Sequence, residues 1–285
     1  MKRTNNGIMI NRKEFLSLLI SAILFLVVIV HLYPLFLVII NSFKTFEEIT
    51  SNVIALPKKL VFSNFANAWT IMEYPRLFLN TLIATSAGVC GVVILGSLAG
   101  YKLSRSKTVY SWLFLILLIA PMMIPFHSFM ISLVRVARTV GLTRTPWGLG
   151  IIYWGLGAPL AVFLYHGFVK TVPKELDECA YIDGASPFKV FFRIIFPLLQ
   201  PITISVIVIN AMWMWNDFLL PLLILGGSRD AQTLQLAAYN FFGQYKIEWN
   251  YAMAGVLLTM IPAIVIYLIL QKYIIKGMVA GAVKL

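Results

Sequence analysis

Acidic residues, cysteine and histidine are scarce in this 285-residue chain: 11 Asp and Glu stand against 23 Lys and Arg, for a formal charge of +12, with two Cys and three His. Each scarcity excludes something. Cys90 sits in a long apolar run and Cys179 in a polar one, so no disulfide between them is expected. His31, His127 and His166 are scattered, and no Cys/His group has metal-ligand spacing. No Gly-x4-Gly-Lys-Ser/Thr run offers a cradle for nucleotide phosphates. No clustered nucleophile, no nucleic-acid-binding module and no alternating segments of about 10 residues, as a membrane barrel would need, are found either. Catalytic residues, metal ligands and a cofactor of the chain's own are therefore not assigned.

Apolar sequence is what the chain has in abundance. Hydrophobic residues make up 60% and charged residues 12%, against roughly a quarter charged in soluble domains, and the mean hydropathy is +0.87. Long apolar runs lie near 15–40, 77–101, 109–134, 147–169, 199–225 and 251–275, each close to or beyond the about 20 residues that cross a bilayer core. Backbone amides in hydrocarbon must bond within their own segment, so the runs are predicted to be helices. The expected fold is all-α: a polytopic membrane protein with six transmembrane helices, a short N-terminal segment over 1–14 and a transmembrane domain over 15–285. The first run is too long for a signal peptide and lacks a small-residue cleavage site, so it is read as a span of the mature protein.

Basic residues flank the spans unevenly. Lys2, Arg3, Arg12, Lys13, Lys102, Arg105, Lys107, Lys170, Lys174, Lys189 and Arg193 fall on one side with the last basic residues of the chain. By the positive-inside rule that side is cytoplasmic, and it holds both termini and the 170–197 loop. The excess positive charge then reports topology and contact with anionic membrane lipid rather than nucleic acid.

The 170–197 loop is the most specific stretch of the sequence. Pro173 suits a first helical turn, Glu175, Asp177 and Glu178 favour the positive end of that helix, and Gly184 can take the left-handed conformation that stops it. Ser186-Pro187 supplies an N-cap oxygen and a pre-set first position for a second helix. The spacing Glu178-Cys179-Ala180, then Asp183-Gly184, then Pro197 resembles the EAA loop of binding-protein-dependent ABC importer permeases. Cys179 stands where that family has its first Ala, and Phe196 where it has Leu before the Pro. The resemblance implies a cytoplasmic helix-turn-helix coupling loop in which Glu178, Ala180, Asp183, Gly184 and Pro197 meet an ATPase. It also implies two ATPase subunits carrying ATP and Mg, a second homologous permease, an extracytoplasmic solute-binding protein and residence in a prokaryotic plasma membrane.

Asp217 is the exceptional charge inside an apolar run. At a helix centre it would cost about 2.5–3.5 kcal/mol, so it either lines a translocation path with Asn216 or accepts hydrogen bonds where Pro221 interrupts the helix. Trp215-Asn216-Asp217-Phe218 resembles the fifth-span signature of the carbohydrate-uptake branch, and the tail Gly277–Lys284 resembles that branch's tail, with Leu285 in place of a final Gly. The aromatic-rich 226–250 loop is expected outside, and Gln244-Tyr245 followed by Trp249-Asn250 resembles the maltose-type loop that meets the binding protein. That likeness makes Asn240, Phe241, Phe242, Gly243, Gln244 and Tyr245 candidate binding-protein contacts. Gly96 and Gly100 form a small-xxx-small pair suited to close helix approach. The expected function is a permease subunit of an ATP-driven carbohydrate importer. The alternatives are the same family acting on a polyol or glycerol-phosphate, and a stand-alone secondary carrier, which the lack of an internal repeat disfavours.

Overall fold

The computed structural model describes residues 12–242 and 248–282. The apolar runs fold as helices, and there is no β-strand among the described residues. In chain order the α-helices are α1 (Arg12–Ser42), α2 (Phe46–Ser51), α3 (Ser63–Ile71), α4 (Tyr74–Arg105), α5 (Val109–Ile119), α6 (Phe126–Thr139) and α7 (Pro146–Val169). They continue with α8 (Glu175–Ile182), α9 (Pro187–Val190), α10 (Phe196–Leu198), α11 (Gln200–Asn216), α12 (Leu219–Leu225), α13 (Leu234–Tyr239) and α14 (Trp249–Ala282). Four of them are long and apolar enough to cross a membrane, and the number reaches six where each of two bent helix pairs makes one span.

The chain divides into two compact units, one of residues 1–68 and 242–257, the other of 69–241 and 258–285. In the first, α1 is exposed along most of its apolar length, as a lipid-facing helix must be. After it, Thr45 and Glu48 close a reciprocal capping box on α2. Lys44 is only 1% exposed, and its ammonium donates to Asn41 Oδ1 at 3.0 Å and to the Asn52 and Val53 carbonyls at 3.1 Å. Burial lowers its pKa, and the Glu48 carboxylate opposes that shift. Asn64 ties the same corner together, donating to the Ser42 and Lys44 carbonyls and accepting from Asn250 Nδ2.

The second unit is organised around the contact of α4 with α7. Side-chain-free positions make it possible: a Cβ at Gly96 would lie 2.6 Å from Ala161 Cβ, and one at Gly100 2.5 Å from Tyr165 Cβ. The two helices therefore meet backbone to backbone, as small-xxx-small pairs do.

Two apolar runs are not straight. The one over 109–134 bends by 107° between Met123 and Phe126. Ile124, the residue before Pro125, is extended at φ −95°, ψ 120°, where the proline ring forces its neighbour out of the helical region. The run over 199–225 is interrupted at Asp217, whose φ −69°, ψ 134° are extended, and resumes as α12. Pro221 explains the position of the break, because it has no N–H for the carbonyl four residues earlier, that of Asp217, and its ring would collide with it. Upstream, the segment Pro187–Leu198 meets α11 at 78°.

Candidate functional site

The 170–197 loop folds as two short helices around Gly184. The first, α8, carries Glu175, Asp177 and Glu178 in its opening turn, at the positive end of the helix dipole. Pro173 lies just before the Lys174 N-cap rather than inside the first turn. Gly184 has φ +74°, and two bonds close the turn, Gly184 N to Tyr181 O and Ala185 N to Ala180 O, both 3.0 Å. This is the Schellman arrangement, which requires a left-handed residue at that place. Ser186 Oγ then accepts from Lys189 N and Pro187 opens α9. A π-helical turn, Phe191–Ile195, leads to Pro197 in α10.

Glu178, Asp183, Gly184 and Pro197 are exposed, whereas Ala180 is buried and packs the elbow onto the core. Nothing lies within 4 Å of a Cβ built on Gly184, so the apex is open. Beside it, Ile182 and Phe188 are 85% and 72% exposed, an apolar pair poorly suited to water and well suited to a protein groove.

Asp177 fixes the root of this loop, a role its place in an acidic helix start did not suggest. It is buried and accepts a short hydrogen bond from the Tyr101 hydroxyl. Its second oxygen pairs with the Arg105 guanidinium at 2.8 Å. Arg105 also donates to the carbonyls of Val169, Val172 and Pro173. The last turn of α4 thus holds the exit of α7 and the start of α8 in one hand. In the sequence, Arg105 read only as a topology marker, and Tyr101 only closed the apolar run over 77–101. A Tyr and an Arg four apart on one helix face was the available signal.

Asp217 lies against a 350 Å³ cavity that Phe126, Phe129, Trp213 and Pro159 also line. Its Oδ2 accepts from the Tyr153 hydroxyl at 2.9 Å, and its Oδ1 accepts from Leu219 N at 3.2 Å. Asn216 is exposed and spends its amide on the Met212 carbonyl of its own helix. The structure thus brings Asp217 to a cavity and, in the same place, uses it to cap the start of α12.

Of the candidate binding-protein contacts, Asn240 is exposed and donates to Gln232 Oε1 at 2.8 Å, Phe241 is buried, and Phe242 is half-buried. Gly243, Gln244 and Tyr245 lie outside the described residues, as does the last part of the tail, 283–285. The preceding segment is pinned to α4: Asn80 donates to the Asp230 and Gln232 carbonyls, Thr81 Oγ1 accepts from Leu234 N, and Arg76 pairs with Asp230 at 2.8 Å. Cys90 and Cys179 are free thiols.

Residues 92–280 match the family model described as "Binding-protein-dependent transport system inner membrane component". The chain is 40% identical to the probable starch degradation products transport system permease protein AmyC of Thermoanaerobacterium thermosulfurigenes, over 88% of this chain and 91% of that one. It is 37% identical to the melibiose/raffinose/stachyose import permease protein MelC of Bacillus subtilis, over 93% and 96%. Among solved structures, a bacterial ABC transporter involved in import of the acidic polysaccharide alginate superposes with a TM-score of 0.78 at 19% identity, over 92% of this chain and 98% of that one.

Proposed function

The chain belongs to the family of binding-protein-dependent transport system inner membrane components, and from that premise we propose how it works as the permease subunit of a carbohydrate importer. It is a multi-pass membrane protein and a transport subunit, not a hydrolase. Its relatives named for starch degradation products and for melibiose, raffinose and stachyose support a carbohydrate, and an oligosaccharide in particular, as the cargo. A second homologous permease, two ATPase subunits carrying ATP and Mg, and an extracytoplasmic binding protein complete the proposed assembly. An alginate transporter of the same fold, TM-score 0.67, has been solved with a ligand-loaded periplasmic protein bound, which supports the last of these.

In this reading the 170–197 loop and both termini face the cytoplasm. ATP-driven closure of the partner dimer pushes on the exposed Gly184 elbow at Glu178, Asp183 and Pro197, while Ala180 packs the elbow to the core. The Arg105–Asp177 pair passes the displacement into α4, and two-state rocking of the bundle alternates access. At the opposite end the segment from Asn240 to Tyr245 meets the loaded binding protein, and sugar crosses beside Asn216 and Asp217.

The carrying observation is the exposed, left-handed Gly184 turn whose root is held by a buried ion pair. Gly184→Val tests it cleanly. With no neighbour for the new side chain, only the backbone pays, by about 1 kcal/mol or more. Sugar uptake is expected to fall while the chain still inserts, and Glu178→Lys should lower recovery of the ATPase in pull-downs. Unchanged uptake and unchanged ATPase recovery in both variants would sink this reading.

A further inference from the structure

We propose that the root of the coupling loop carries a binding site for the phosphate of an anionic membrane lipid. A 790 Å³ cavity opens there between the end of α4, the start of α5 and the segment that joins α7 to α8. Its cations are Lys107, Lys170 and Lys174, none of which forms an ion pair among the described residues. Arg105 lines it too, but its charge is already met by Asp177. Glu175 is the one carboxylate in the lining and His166 the remaining titratable group, so the cavity keeps an excess of positive charge.

Two buried polar atoms in this lining have no hydrogen-bond partner, Ser104 Oγ and Arg105 Nε. Unmet buried donors are costly, and a phosphate oxygen is the acceptor both would take. Thr108, the N-cap of α5, also lines the cavity and adds the positive end of that helix.

The shape of the lining selects a lipid over a free anion. Thr108, Ser111, Trp112 and Leu115 share one face of α5 and all border the cavity. Along that face the chemistry passes from hydroxyl to indole to aliphatic, which matches the passage from headgroup to acyl chain. Beyond it α5 is apolar and has no buried residue, so an acyl chain continues along an exposed hydrocarbon surface. Basic pockets between membrane helices hold anionic headgroups in this way. The site is independent of which leaflet it occupies and does not rest on the identity of the cargo.

The test uses the full-length chain in nanodiscs of phosphatidylcholine doped with phosphatidylglycerol, followed by native mass spectrometry of the lipid that stays bound. Phosphatidylglycerol should be retained over phosphatidylcholine, and Lys107→Gln, Lys170→Gln and Lys174→Gln should each lower its retention about fivefold. These lysines are exposed, so the variants should fold, with helix content by circular dichroism as the check. Lys58→Gln with Lys59→Gln, exposed lysines of another segment, should change nothing. Equal retention of the two lipids, or an equal loss in the Lys58/Lys59 control, would overturn the proposal. Displacement of the lipid by millimolar inorganic phosphate alone would assign the site to a free anion and overturn the lipid reading as well.

Discussion

The two ends of α4 each carry an arginine, and the two arginines are used in opposite ways. Arg76, in the first turn, pairs with Glu73 and Asp230, but about half of its side chain and most of that of Asp230 remain in water. It also sits at the positive end of the helix dipole, where a cation is disfavoured. Arg105, in the last turn, is 14% exposed, its partner Asp177 is 9% exposed, and three backbone carbonyls also accept from its terminal nitrogens. The dipole there favours it. One pair is a solvent-screened latch of little intrinsic worth; the other is an ion pair that cannot lose a partner without stranding a charge. The buried pair stands where the 170–197 loop joins the bundle, so under the proposed function the joint that transmits force is also the one that cannot loosen by degrees.

Breaking the buried end should give the largest effect. Asp177→Ala leaves the Arg105 guanidinium without a counter-charge, and a loss of about 3–5 kcal/mol is expected, read as a lower unfolding midpoint in detergent and loss of uptake. Arg105→Lys, with Asp177 in place, should keep only part of the pair's contribution, because a single ammonium cannot reproduce a fork that reaches Asp177 and three carbonyls. Equal stability of Asp177→Ala and the parent would dissolve the contrast between the two ends.

Lys44 sharpens the comparison, being a buried cation whose ammonium donates its hydrogen bonds to uncharged oxygens rather than to a carboxylate. Lys44→Met removes the donor from Asn41 Oδ1 and the Asn52 carbonyl, at about 1–3 kcal/mol. Its pH dependence has a definite sign. Burial holds the folded pKa below the ordinary value, so the unfolded chain binds more protons between the lowered pKa and about 10.4, and stability should rise with pH across that window. Unfolding midpoints of the parent and of Lys44→Met over this range should differ in slope, with the rise absent from the variant.

Asp217→Asn removes the charge and keeps one acceptor oxygen, for Leu219 N, while its amide can donate to the Tyr153 hydroxyl oxygen in place of the bond Asp217 accepts there, at about 0.5–1.5 kcal/mol. Uptake should largely survive it. Abolished uptake with normal abundance of the assembled complex would make the charge itself functional. Arg76→Ala should have the smallest effect, about 0–1 kcal/mol, because Asn80 and Thr81 still pin the 230–234 segment. A large loss of stability in Arg76→Ala would show that exposure misjudges this end.

The helical class and the coupling turn were legible from the chain. Runs long enough for a bilayer leave helices as the economical solution, and Gly184, Ser186 and Pro187 are local signals acting on their own neighbours. The 107° bend was less legible, because Pro125 announces a break but not its angle, which depends on what α5 and α6 pack against. The Asp177 clamp was not legible, since Tyr101 and Arg105 are more than 70 residues away from it and chemical pairing across that distance follows only from the α4–α7 contact. Phe241, a candidate binding-protein contact by resemblance, is buried, because aromatic content alone does not distinguish a contact residue from core.

The glycine contact of α4 with α7 has a mechanical consequence. With Gly96 against Ala161 and Gly100 against Tyr165, the helices cannot slide past one another without driving a Cβ into backbone, so the pair is a beam, and bending is left to the flexures at Ile124, Leu199 and Asp217. At 32 residues α4 is about 48 Å long, and a tilt of about 5° at its Arg105 tip displaces the Arg76 tip by about 4 Å. That is more than a hydrogen bond can stretch, so each stroke of the beam would open the latch between Arg76 and Asp230 unless the 230–234 segment rides along with it.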